Sequence, residues 1–380
     1  MNILIFTNIL TPYRIAFFDK LNNELNENGD LLKVYVMSET EENRNWYYED
    51  YKRKYTRLLK GKRIGIGGYK VNINQGIDQM LTDVAPDIVI AAGSYIHPSL
   101  WILIQRCNVK KIPILFWSES HLNTERKYSK VKTVFRDSIR RSVYKRFNGF
   151  CYAGKLSKEF ICKYARDESK YIFLPNLVDD RFYSTSAENQ QVYKETKEMI
   201  NSNEEIRNYI IPARLSPDKG IMEFLQLLRQ VKTKKTVRIF IAGDGELEQE
   251  IKNYSRDNNL NVSLLGFMSR EQMRCLYQLV DGFILPSKVD PNPLTCIEAL
   301  WSGLPMLVSD HVGNYPEVIK DGLNGYVFSY EDDAERTIST FLNQDVKWYK
   351  HAHEISREIA ETCYSMNTVT KEFIQKLRSF

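Results

Sequence analysis

Two carboxylates, Asp290 and Glu298, bracket the stretch Ile284-Leu285-Pro286-Ser287-Lys288-Val289-Asp290-Pro291-Asn292-Pro293-Leu294-Thr295-Cys296-Ile297-Glu298-Ala299-Leu300. An apolar run empties into a proline-rich loop that enters a helix at about Leu294. Free backbone N–H groups and the positive end of the helix dipole therefore point at whatever lies ahead of that helix. An anion belongs there, with Asp290 in the loop and Glu298 about one turn into the helix, holding one ligand from two heights. A second set supplies positive charge. After Tyr209-Ile210-Ile211-Pro212 comes Ala213-Arg214-Leu215-Ser216-Pro217-Asp218-Lys219-Gly220, which puts Arg214 and Lys219 at the mouth of a helix. Arginine forks two donors onto a phosphate and lysine adds a point charge, as a leaving diphosphate requires while negative charge grows on it. Each set has a plainer reading as well. A loop Asp with a first-turn Glu favours the helix dipole, and basic residues are common at solvated turns.

The elements that must position these residues follow from short apolar runs between amphipathic stretches: Ile3–Phe6, Leu32–Met37, Ile88–Ala92, Ile112–Trp117 and Phe150–Ala153, then Tyr209–Pro212, Val237–Ala242, Val262–Leu265, Gly282–Leu285, Met306–Val308 and Gly325–Phe328. Strands alternating with helices predict parallel sheets covered on both faces. The pattern restarts after a polar stretch, so the expectation is two Rossmann-like, doubly wound α/β domains facing each other across a cleft. Residues 1–175 form the first domain, 176–208 a hinge, and 209–350 the second. Residues 351–380 form a terminal helix that can pack back on the first domain.

The loop carrying Asp290 and Glu298 resembles the signature of retaining glycosyltransferase family 4, in which two glutamates separated by seven residues serve a nucleotide-sugar donor. Asp290 replaces the first glutamate. The element from Arg214 to Gly220 resembles the same family. So do Gly243-Asp244-Gly245 after a strand, Leu265-Gly266-Phe267, Gly303-Leu304-Pro305 and the segment from Glu317 to Gly325. The resemblance spans about Tyr209 to Phe328 and implies the GT-B fold. It further implies that Asp290 holds hydroxyls of the donor sugar, that Glu298 holds the ribose, and that the amides around Asn292, Pro293, Leu294 and Thr295 meet the diphosphate. Gly243 and Gly245 would admit a ligand to the backbone, and the backbone at Phe267 would lie near the nucleobase. The implied reaction moves a sugar from a UDP- or GDP-sugar to a carbohydrate acceptor, with Arg214 and Lys219 taking the part a metal ion plays elsewhere, so no metal cofactor is expected. An epimerase on the same fold and a non-catalytic nucleotide-sugar-binding protein are the alternatives.

In the first lobe the likeness is fainter. Thr11 and Pro12 open a helix as N-cap and first helical residue, and Tyr13 and Arg14 follow, where an acceptor can lie. Relatives place a histidine at the end of a first-lobe strand. The matching position here is nearer Glu119, with His121 two residues later, and both stay open as catalytic candidates beside a capping role for Ser118 or Ser120. Gly65-Ile66-Gly67-Gly68 follows what reads as a basic helix rather than a strand, so it is a turn and not a dinucleotide fingerprint.

The 380 residues, 43% hydrophobic and 27% charged, have the composition of a folded globular protein. Six scattered cysteines fit reduced thiols in a cytoplasm. Residues 51–150 hold 20 Lys/Arg against 6 Asp/Glu, so the first lobe has a basic face. Within it Val131, Phe135, Ile139, Val143 and Phe147 recur every fourth residue amid Lys130, Lys132, Arg136, Arg140, Arg141 and Lys145. That pattern fits a helix packed on the sheet, and it also fits peripheral attachment to an anionic membrane surface at the inner face of the plasma membrane. The partners expected are a nucleotide sugar, a polyprenyl-diphosphate-linked acceptor of surface polysaccharide assembly and the membrane, and not nucleic acid.

Overall fold

The computed structural model describes residues 1–41, 47–66, 69–124, 129–166, 169–185, 189–201 and 205–380. The chain divides into two compact units, one of Met1–Leu177 with Met366–Phe380 and one of Val178–Ser365.

The first unit contains β1 (Asn2–Thr7), β2 (Leu31–Val36), β3 (Thr56–Leu58), β4 (Gly61–Ile66), β5 (Tyr69–Asn74), β6 (Ile88–Ala92), β7 (Ile114–Ser118), β8 (Gly149–Tyr152) and β9 (Lys170–Phe173). Seven of them form a parallel sheet in the order β3-β2-β1-β6-β7-β8-β9. The central strands are continuous apolar runs, Ile88–Ala92 for example being buried throughout, as strands covered on both faces must be. The order reverses between β1 and β6, which opens a crevice beyond the carboxyl ends of those two strands.

The basic stretch before Gly65 runs through strands β3 and β4 and is not a helix, and β4 pairs antiparallel with β5, with Ile64 opposite Val71. Lysine and arginine favour helices, but the alternation through Val71 and Ile73 has period two, and tertiary anchors fix it. The Asn74 N–H donates to Ser99 Oγ (2.7 Å), the Asn72 N–H to His97 Nδ1 (3.1 Å), and Asn74 Nδ2 to the Met37 carbonyl (2.8 Å). Gly67 and Gly68 lie outside the described residues.

The apolar stripe of the Lys130–Tyr144 helix is divided along its length. Val143 and the following Phe147 are buried in the core and Ile139 packs against it, while Val131 is 80% and Phe135 69% exposed. Two of the six cations named from sequence turn inward. Arg140 lies over the Phe160 ring (5.1 Å) and donates to the Tyr95 hydroxyl (2.9 Å), and Arg136 pairs with Asp137 (3.2 Å).

The second unit contains β10 (Ile206–Pro212), β11 (Thr236–Ala242), β12 (Val262–Gly266), β13 (Gly282–Leu285), β14 (Met306–Ser309) and β15 (Gly325–Phe328). All are parallel in the order β12-β11-β10-β13-β14-β15, which reverses between β10 and β13. This unit begins inside the segment read as a hinge. Residues 176–208 hold two helices, Asp180–Ser184 and Gln190–Ile200, capped by the side chains of Asp179 and Asn189, which accept from the Phe182 and Val192 N–H groups. Their polar composition marks solvated helix faces rather than a linker, for Tyr183, Thr196 and Ile200 are buried.

The C-terminal segment is two helices, Val346–Cys363 in the second unit and Met366–Leu377 in the first. Phe373 meets Phe17 edge-on at 5.9 Å, Arg378 pairs with Asp30 (2.6 Å), and Lys170 Nζ donates to the Ser379 carbonyl (2.7 Å).

Candidate active site

The loops that leave β10 and β13 carry the two charged sets, and these strands are neighbours at the switch point of the second unit's sheet. In open α/β sheets that crevice is where ligands bind. Lys219 Nζ donates to Asp290 Oδ2 at 2.7 Å, with both side chains largely buried. Burial pushes the Asp290 carboxyl above its ordinary value, and the neighbouring ammonium opposes that shift. The loops are laced together by backbone bonds. The Lys288 and Val289 N–H groups donate to the Asp218 carbonyl (2.8 and 3.1 Å), and the Gly313 N–H to the Asp290 carbonyl (2.8 Å). Arg214 is exposed on the same β10 loop.

Gly243 and Gly245 sit at the end of β11 with φ of +150° and +155°. The space their missing side chains leave is used by the protein itself. A Cβ at Gly243 would stand 2.1 Å from the Ala213 carbonyl oxygen, and one at Gly245 2.5 Å from that of Leu215, the two residues flanking Arg214. The glycines therefore seat the Arg214 loop. Gly243→Ala should lower the melting temperature, with a cost of about 2 kcal/mol from strain and overpacking, and should weaken nucleotide binding with it. Differential scanning calorimetry beside nucleotide titration checks this, and a variant with wild-type values in both would refute it. Phe267, after β12, is 81% exposed, so its ring is available at the same end of the sheet.

The Leu294–Trp301 helix begins behind Pro293, whose side chain cannot cap its first amides. Asn292 is buried, and neither its amide oxygen nor its amide nitrogen has a partner among the described residues. A buried amide without partners is costly and marks a place where a ligand or water completes the bonding. Leu294 and Thr295, in the first turn, are partly exposed. Asn314 Nδ2 braces this start by donating to the Pro293 carbonyl (3.0 Å).

Glu298 is one turn further in and is held on both oxygens. The Tyr183 hydroxyl donates to Oε1 and the Tyr277 hydroxyl to Oε2, each at 2.9 Å. Burial raises the Glu298 carboxyl, and the two hydroxyls and the Arg270 charge oppose the shift. Tyr183 and Tyr277 were not legible in the sequence, since they lie 115 and 21 residues away on other helices.

In the first unit, Glu119 follows β7 and pairs with Arg14 (Nη2 to Oε1, 2.9 Å). Arg14 also donates to Thr7 Oγ1 (3.1 Å) and lies 4.6 Å over the Trp117 ring. Arg14 is thus spent on neighbours within its own unit. Glu119 keeps a quarter of its side chain exposed, whereas His121 is 1% exposed. Of the two candidates, Glu119 is the one a ligand can reach. Thr11 stands at the N-cap of the Pro12–Glu27 helix but makes no side-chain capping bond. Ser118 Oγ accepts from the Ser120 N–H (3.3 Å), a local turn rather than a helix cap.

Comparison with known proteins adds to this geometry. Residues 192–361, most of the second unit, match the family model described as glycosyl transferases group 1. The second unit is thus similar to the group 1 glycosyl transferases over those residues. Among curated proteins the chain is 24% identical over 198 residues to the lipopolysaccharide 1,2-N-acetylglucosaminetransferase of Salmonella typhimurium, covering 48% of this chain and 51% of that one. It is 29% identical over 211 residues to the UDP-Gal:alpha-D-GlcNAc-diphosphoundecaprenol alpha-1,3-galactosyltransferase of Escherichia coli, 52% of each chain. The chain thus spans about half the length of these relatives. The Anabaena protein Alr3699/HepE, solved in complex with UDP, superposes over the whole of both chains with a TM-score of 0.74 at 16% identity. The lipopolysaccharide outer core galactosyltransferase WaaB superposes with 0.71 at 16% identity, over all of this chain and 99% of that one. At such identities the likeness is one of fold, and this chain has the GT-B fold.

Proposed function

We propose that the chain is a retaining glycosyltransferase of family 4, which moves a sugar from a UDP- or GDP-sugar to a lipid-linked carbohydrate acceptor in surface polysaccharide or lipopolysaccharide assembly. The observation that carries this is the convergence at the β10/β13 switch point. There the Lys219–Asp290 pair and the exposed Arg214 meet the uncapped start of the Leu294–Trp301 helix, with the partnerless Asn292 amide beside it. A nucleoside diphosphate fits this set, its phosphates on the helix amides and cations and its ribose at Glu298. The names of two similar proteins support the reading, one solved with UDP and one acting on a diphosphoundecaprenol-linked sugar.

In the reaction the bond from the sugar's anomeric carbon to the diphosphate oxygen breaks, and the acceptor oxygen bonds to the same face. The acceptor proton passes to the departing phosphate oxygen, so no enzymic base is needed at the acceptor. Lys219 and Arg214 stabilise the charge that grows on the diphosphate. Asp290 holds donor-sugar hydroxyls once the donor draws Lys219 toward the phosphates. Because the cations do this work, activity should survive EDTA. Complete loss that divalent ions restore would show a metal requirement.

A panel of UDP- and GDP-sugars, assayed for nucleotide release with and without a polyprenyl-diphosphate-linked acceptor, tests the proposal. Acceptor-dependent release from one donor is expected. Epimerised sugar without acceptor would indicate an epimerase, and binding without turnover a non-catalytic partner.

Peripheral attachment to the inner membrane face belongs to the same proposal. Among the described residues no helix is long and apolar enough to cross a membrane. The first turns of the Lys130–Tyr144 helix expose Val131, Val134 and Phe135 beside the exposed Lys130 and Lys132, and Arg141 and Lys145 are exposed at its far end. At about 1 kcal/mol per cation near an anionic surface, three or four contacts give reversible binding that salt weakens. Liposomes containing anionic lipid should pellet the wild type at low salt and should not pellet a variant with K130E, K132E and F135D. Equal pelleting would refute attachment through this helix.

A further inference from the structure

Glu298 does not stand alone in its crevice wall. Its carboxylate is clamped from two sides by hydroxyl donors on elements far apart in the chain, Tyr183 on the Asp180–Ser184 helix and Tyr277 on the Arg270–Leu279 helix. Each oxygen of an ionised carboxylate offers about two lone-pair directions. One tyrosine on each oxygen therefore leaves one acceptor direction per oxygen, which suits a vicinal diol with two O–H donors.

Both tyrosines are fixed by their surroundings. Tyr277 is 1% and Tyr183 5% exposed, and their rings lie 6.2 Å apart. Tyr183 also meets Phe182 edge-on at 5.0 Å, and Arg270 lies 5.7 Å over its ring while pairing with Asp179 at 3.1 Å. Such a clamp restricts the rotation of the carboxylate before any ligand arrives, so less ordering remains to be done on binding.

We infer that Tyr183 and Tyr277 are positioning residues that orient the Glu298 carboxylate toward the 2′- and 3′-hydroxyls of the donor's ribose, and so set the preference of the site for ribonucleotides over deoxyribonucleotides. This rests on the reading of Glu298 as the ribose ligand. Among the described residues, Arg270 on the helix of Tyr277 and Cys296 on its own helix are the other charged or titratable groups that interact with Glu298. Neither is altered by changing tyrosine to phenylalanine.

The test is calorimetric titration of the full chain with UDP and GDP, each against its 2′-deoxy form, for wild type, Tyr183→Phe, Tyr277→Phe, the double variant and Glu298→Gln. Wild type should prefer the ribonucleotide by about tenfold or more, as expected for a hydrogen bond to a charged group. Each single phenylalanine variant should lose a large part of that preference, and the double variant should approach Glu298→Gln. A purely structural role for the tyrosines would weaken both nucleotides equally and leave the ratio unchanged. The single variants are measured separately, with melting curves, so that a misfolded one leaves the other to decide. Phenylalanine variants that keep the wild-type ratio while Glu298→Gln loses it would overturn the positioning role and leave the ribose reading standing. A Glu298→Gln variant that keeps the ratio would overturn both.

Discussion

Lys219→Ala should lower turnover by about 10²- to 10³-fold, the loss seen when one preorganised donor is removed from a developing negative charge. The ammonium lies 2.7 Å from Asp290, so its position is set by the protein. In the proposed mechanism its attraction for the diphosphate grows as the glycosidic bond lengthens, and losing such an interaction lowers kcat more than it lowers ground-state affinity. The same substitution leaves the Asp290 carboxylate largely buried without its cation, which costs up to about 3 kcal/mol of stability. Because the two side chains keep 15% and 16% of their surface in water, solvent relieves part of that cost. Arg214→Ala should show a smaller loss of turnover with little change in stability, since Arg214 is exposed. Steady-state kinetics at saturating donor, beside melting curves, separate these effects. Full turnover in both variants would show that the leaving group departs elsewhere.

Glu298→Gln should weaken nucleotide-sugar binding about 10- to 150-fold, the range for losing a hydrogen bond to a charged group. The amide retains the size of the carboxyl, but its nitrogen cannot accept from a tyrosine or from ribose. The pH dependence carries a sign. Burial raises the carboxyl above the usual glutamate value, with Tyr183, Tyr277 and Arg270 opposing, and in the proposed role the ionised form is the one that accepts from ribose. Wild-type affinity should therefore fall as pH drops through that raised value, an acid limb lying above the ordinary glutamate range. Glu298→Gln should lack the limb. A nucleotide sugar serves as the probe because its diphosphate keeps its charge across this range. Calorimetry from mildly acid to neutral pH reads both effects, and identical profiles for the two proteins would remove Glu298 from the site.

Much of the scaffold was legible because its central strands are buried on both faces and so appear as unbroken apolar runs, such as Ile88–Ala92 and Gly282–Leu285. The charged sets were legible because Arg214 and Lys219 share one loop, and Asp290 and Glu298 one loop and its helix. Features that depend on distant contacts were not. The β4–β5 hairpin is rich in helix-favouring cations and is held as strand by Ser99 and His97. The helices within residues 176–208 were hidden by their polar faces. Gly243 and Gly245 read as room for a ligand, whereas the Arg214 loop fills that room. The clamp on Glu298 joins residues 183, 277 and 298, and no local pattern ties a tyrosine to a carboxylate across such separations.

The central claim, sugar transfer with retention at this site, is tested most directly by the product itself. The donor selected from the panel, labelled with carbon-13 at the anomeric carbon, is incubated with the polyprenyl-diphosphate-linked acceptor, and the new linkage is followed by NMR. One new glycosidic bond with the anomeric configuration of the donor is expected, formed in step with nucleotide release by wild type and almost absent with Lys219→Ala. A product of inverted configuration, or labelled free sugar released at the same rate without acceptor, would contradict it.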